Sequence, residues 1–141
     1  MSDKLCQQRS EIDQKFKWDI EAMYPDESLW EKDLEECMQE ASNFSRFKGK
    51  ITESAHTLYD ALEAKDRIFR KLEHAFVYAA MKKDEDNRVT KYQSMDDKCG
   101  SAIAKISASL SFFAPELLEA EPETIQKTLL KRIPLKCLDR K

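Results

Sequence analysis

Apolar residues recur along this chain at steps of three and four. Trp30, Leu34, Cys37, Met38, Ala41 and Phe44 form one such run, the spacing that lines up side chains on one face of an α-helix. Before it stands Ser28-x-x-Glu31, the capping-box spacing in which hydroxyl and carboxylate each take a free amide of the first turn. Together they predict a helix over 28–46. The stretch "FKGK" ends it, because Gly49 can adopt the positive φ that a reversal often needs.

A second run, Leu58, Leu62, Phe69, Leu72, Phe76 and Ala79, predicts one long helix or two nearly collinear ones, from 52–54 to the polar "KKDEDN". The third helix is expected from near Asp86, with Val89, Tyr92, Met95, Cys99, Ala102, Ile103, Ile106, Leu110 and Phe113 as its stripe. Ala102, Ala104 and Ala108 with Ser101, Ser107, Ser109 and Ser111 make it slim, which suits close approach of a neighbour. Pro115 and Pro122 each suit the first position of a short helix, where no amide hydrogen is needed. The second of these would carry Ile125, Leu129 and Leu130, and Pro134 ends the pattern. The fold class read from this is all-α: a bundle of long, mostly antiparallel amphipathic helices with an extended N-terminal lead-in. Its expected divisions are a lead-in over 1–27, a helical domain over 28–131, and an irregular tail over 132–141.

The lead-in is rich in aromatics. In "KFKWDI", Phe16, Trp18 and Ile20 alternate, as in an extended segment laid along a helix, and Tyr24 precedes Pro25, which favours extended backbone. Tyr24 can then pack back on the first helical turn as a staple. On this reading Trp18 and Trp30 are both structural and pin the entry of the chain. The competing reading is a ring of aromatics that stacks on a ligand.

Composition narrows the function classes. Of 141 residues, 41% are hydrophobic and 36% charged, with two glycines and four prolines, a mix that favours helices over disorder or sheet. The formal net charge is -3 with both signs interspersed, so no basic stripe points to nucleic acid. No apolar run reaches the roughly 20 residues that cross a bilayer, and the start lacks an apolar leader region. The chain therefore reads as cytoplasmic, with no membrane partner. Cys6, Cys37, Cys99 and Cys137 form no C-x-x-C pair, so they read as reduced thiols rather than bridges or a shared zinc site. Cys37 and Cys99 fall at apolar helical positions and are expected to pack as small hydrophobes.

Candidate chemistry is sparse. Glu53-x-x-His56 has the spacing used by carboxylate-bridged di-metal bundles, but His74 has Lys71 where the second glutamate should stand. A surface histidine near a helix start is the plainer account of His56. No H-E-x-x-H, G-x-x-x-x-G-K or G-x-G-x-x-G occurs. "KKDEDNR" fits a solvated loop better than a calcium site. No catalytic, cofactor-binding or metal-ligating residue is assigned in this chain.

Several blocks carry a resemblance when taken in order. "RSEIDQKFKWDIEAMYPDESLWEKDL" resembles the opening of oligoendopeptidase F-type zinc peptidases, with an R-x-E-I…K-W-x-L…I-Y-x-x-x-x-x-W pattern. "FKGKITESAHTLYDALEAKDRIFRKLEHAFVYAAMKKDEDNR" is similar to the next block: an F-x-G-K/T-L turn, a long helix, then Y-A…D-x-D/S-N. "KYQSMDDK" and "ISASLSFFAPELLE" resemble the block after it, with S-F-x-x-P-E-L. The resemblance runs from about Arg9 to Leu130, and the segment after it departs from the family's pattern, as a truncated or frameshifted end would. It implies the helical N-terminal domain of a metallopeptidase whose zinc and H-E-x-x-H lie in a separate C-terminal catalytic domain. By that implication the chain is inactive alone, holds no cofactor itself, and partners the catalytic domain and, through it, oligopeptide substrates. Self-association through apolar surface left open is expected when that domain is absent. The alternative is a free-standing helical protein-interaction module.

Overall fold

A computed structural model describes residues 11–132. Cys6, Cys137, Pro134 and nearly all of the expected tail lie outside the described residues. Among the described residues, five α-helices follow one another: α1 Glu27–Asn43, α2 Ala55–Glu85, α3 Thr90–Ser109, α4 Phe113–Leu118 and α5 Pro122–Arg132. Short 3-10 turns precede α1 at Gln14–Phe16 and Ile20–Ala22, and another follows it at Phe44–Phe47. Among the described residues there is no strand, so the all-α expectation stands.

The helix starts follow from local chemistry. Asp26 caps α1: its carboxylate accepts from the amides of Ser28 at 2.8 Å and Leu29 at 3.2 Å. Ser28 therefore sits inside the first turn, and its hydroxyl also bonds to Asp26. Glu31 reaches across to Lys98 of α3 at 2.7 Å. The expected Ser28–Glu31 capping box is thus replaced, because the charged acceptor at Asp26 suits the positive end of the helix better than a hydroxyl. Ser54 caps α2 by accepting from the Thr57 amide at 3.1 Å. Asp86 does not start α3. Its two oxygens are taken by the amide and guanidinium of Arg88, at 2.7 to 3.0 Å, so 86–89 is a loop and α3 begins at Thr90. Pro122 opens α5, whereas Pro115 is the third residue of α4 rather than its first. Both lie in a first turn, whose amides have no partner within the helix.

α2 is one continuous helix of 31 residues. α1 runs antiparallel to it, since Trp30 meets Ala75, Cys37 meets Ile68 and Glu40 meets Arg67. α3 is also antiparallel to α2, through Asp96 with Lys83 and Cys99 with Ala75. α1 and α3 are therefore parallel to each other, joined by the ion pairs Glu31–Lys98 and Glu27–Lys91. α5 lies along α2 as well.

The three long helices enclose one core. α2 contributes Leu58, Ala61, Ala64, Ile68, Leu72, Ala75, Tyr78 and Ala79. Its inner face differs from the expected stripe, since Phe69 and Phe76 are 37% and 40% exposed. Two helices close on α2 where alanines let their backbones approach, and the bulkier phenylalanines fall to one side. Phe44, Phe47, Phe112 and Phe113 close one end with ring centroids 5.2 to 6.0 Å from Phe44. There Gly49, at φ +74, turns the chain and donates its amide to both oxygens of Glu116 at 2.8 and 2.9 Å.

Candidate interaction surface

The residues singled out for chemistry do not converge. His56 is exposed at the start of α2, with Nδ1 3.1 Å from Asp60, while Glu53 lies in the preceding turn. His74 stands five turns further along α2, about 27 Å away by helical rise, and its ring leans on Tyr24 at 4.7 Å. Lys71 pairs with Glu36 at 2.6 Å and Glu40 at 3.5 Å. Among the described residues no three His, Cys, Asp or Glu side chains are grouped to hold a metal ion. Cys37 and Cys99 are wholly buried and point their thiols at the carbonyls of Ile68 and Ala75. Burial pushes both thiols up to about 11, so neither is a ready thiolate.

The opening aromatics divide. Ile20, Tyr24 and Trp30 are buried. Tyr24 donates its hydroxyl to Asp33 at 2.9 Å and meets Tyr78 edge-on at 5.0 Å. Burial first, then the bond to Asp33, raises its ionisation above the usual tyrosine range. Trp18 corrects the expectation: it is 77% exposed, and Phe16 is 73% exposed. The two 3-10 turns break the even alternation that would have laid all three side chains on the bundle, and Ile20 alone goes under. Glu21 beside it pairs with Lys82, which is buried between the rings of Tyr78 and Tyr92. This contact ties the lead-in to the end of α2.

Among the described residues, two surfaces of the long helices are open to a partner. One is an apolar face along α2 and α3, where Phe69, Leu72, Phe76 and Ile103 line a shallow depression of about 260 Å³ with Glu73 at its edge. Val77, the residue after Phe76 on α2, is 37% exposed. The other is a groove of about 470 Å³ between the parallel helices α1 and α3. Leu34, Met38 and Ala102 line its apolar part, and Glu31, Glu35, Asp97, Lys98 and Lys105 its charged part. The small residues Ser94, Ser101 and Ala102 keep it open. Of the small residues that make α3 slim, Ser101 and Ala102 thus face a groove instead of a tightly packed helix. Sequence periodicity carried no sign of this groove, because its carboxylates and lysines read there as a solvated face.

Comparison with known proteins gives this geometry a context. The chain is 34% identical over 135 residues, 96% of its length, to group B oligopeptidase PepB of Streptococcus agalactiae. It is 30% identical over 91% of its length to oligopeptidase PepF of Bacillus subtilis. It is 31% identical over 96% of its length to the plasmid-encoded oligoendopeptidase F of Lactococcus lactis. It spans 22%, 19% and 23% of those three proteins respectively. The chain is therefore homologous to about one-fifth of an oligoendopeptidase F-type peptidase. No family model and no solved structure matches it.

Proposed function

We propose that this chain works as the non-catalytic N-terminal helical domain of a cytoplasmic oligoendopeptidase F-like zinc peptidase, walling one side of the cleft that receives oligopeptides. The observation that carries this reading is the similarity over nearly the whole chain to peptidases of which it spans about a fifth. Among the described residues, the two histidines do not fit the zinc of such an enzyme. His56 and His74 are too far apart along α2 to share an ion, and each already has a neighbour of its own. Metal chemistry is thus assigned to the remainder of the enzyme, and this domain contributes shape.

The apolar face of Phe69, Leu72, Phe76 and Ile103 is the surface through which it docks on that remainder, since contiguous apolar patches mark interfaces. The same face would serve a free-standing interaction module or self-association. A chimera separates these readings: the matching segment of Bacillus subtilis PepF is replaced by this chain and oligopeptide hydrolysis is measured. The domain reading expects activity, and expects Phe69→Asp with Phe76→Asp to abolish it. A soluble, folded chimera that hydrolyses nothing would overturn the reading.

A further inference from the structure

We propose that the groove between α1 and α3 binds a short peptide with free termini, in extended form, its ammonium end at Asp97 and its carboxylate end at Lys105. The ligand class rests on the reading as an oligopeptidase domain; the placement rests on the groove itself. Its volume of about 470 Å³ lies in the range of sites that take small ligands. One end is bridged by the ion pair of Glu31 and Lys98 at 2.7 Å, with Asp97 next to it. Asp97 and Lys105 are both exposed and form no ion pair among the described residues.

The charges are spaced to suit such a ligand. Asp97 and Lys105 are eight residues apart on α3, about 12 Å along its axis. An extended peptide advances roughly 3.3–3.6 Å per residue, so about four residues bridge the two charges. Glu35, on the facing wall, can accept from peptide amides, and Ser94 and Ser101 can donate or accept. Leu34, Met38 and Ala102 supply an apolar floor that is indifferent to side-chain identity. The groove would therefore select for length and free ends rather than for sequence, as suits an enzyme wall that admits many short peptides.

The test is a titration of the isotope-labelled chain with tetra-alanine, its N-acetylated form, its C-amidated form and its doubly capped form, followed by amide chemical shifts. The expected result is saturable shifts at Ser94, Asp97, Ser101 and Ala102. Asp97→Asn should weaken the free peptide about fivefold and leave the acetylated one unchanged, the scale of one exposed ion pair. Lys105→Gln should do the same for the free against the amidated peptide. No groove shifts at about 10 mM peptide, equal binding of a doubly capped peptide, or shifts confined to the Phe69–Phe76–Ile103 face would each overturn the inference. A negative titration with an active chimera removes the groove and keeps the domain reading. A positive titration with an inactive chimera does the reverse.

Discussion

The indole N–H of Trp30 donates to the carbonyl oxygen of Ala75 at 2.9 Å, across 45 residues of sequence. Cys99 aims its thiol at the same oxygen from 3.7 Å. One carbonyl in the middle of α2 therefore receives a side chain from each of the other two long helices. Trp30 is 1% exposed and Ala75 fully buried, so this contact marks the centre of the bundle.

Replacing Trp30 by Ala should cost roughly 3–5 kcal/mol, the usual range for a buried Trp removed from a core. Trp30→Phe should cost less, since most of the ring volume stays and the Ala75 carbonyl keeps its helical partner. Trp18→Ala should change stability by less than about 0.5 kcal/mol, as for an exposed side chain. Urea unfolding followed by circular dichroism measures all three. Equal midpoints for Trp30→Ala and the parent would show that the Trp30–Ala75 contact does not hold the core.

The buried thiols predict a loss of stability in alkali. Cys37 and Cys99 have an ordinary value of 9.0 and are raised to about 11 in the fold, chiefly by burial. Above about pH 9 the unfolded chain has released thiol protons that the folded chain retains, so stability is full below that pH and falls as pH rises toward 11. Tyr24 and Tyr78, also raised mainly by burial, add to the same slope. The paired change Cys37→Ala and Cys99→Ala should flatten the decline of the urea midpoint between pH 8.5 and 10.5. An unchanged slope would mean that the thiols ionise as freely in the fold as outside it.

Lys82 and Glu21 should respond unequally to substitution. Burial is the largest single influence on Lys82 and opposes its charge, yet its hydrogen bond to Glu21 together with the charge of that carboxylate holds the ammonium above its ordinary range. Lys82→Met should be close to neutral, because an apolar chain of similar length can lie between Tyr78 and Tyr92. Glu21→Gln leaves a buried cation with a weaker partner and should cost about 1 kcal/mol, limited by the exposure of Glu21 itself. Thermal unfolding of the two variants gives the comparison. The account fails if Lys82→Met proves the more damaging change.

The sequence by itself determined the class of the fold and much of its order. Three-and-four spacing around Trp30, Leu34, Cys37, Ala102 and Ile106 needs only local helical geometry, so it placed three long helices and most of the core. The ordered blocks from "RSEIDQKFKW" to "SFFAPELLE" were likewise enough to point to the peptidases the chain matches. Tertiary structure decided which side of each helix is inside. α2 is apolar on more than one side, and periodicity admits either Phe69 and Phe76 or Ala64, Ile68 and Ala75 as its inner face. The choice went to the alanine side because two helices must approach α2 closely, a constraint that no local spacing contains. The same limit applies to Trp18, whose burial depended on whether the lead-in ran straight, and to Asp97 and Lys105, which share a groove only because α1 and α3 lie parallel.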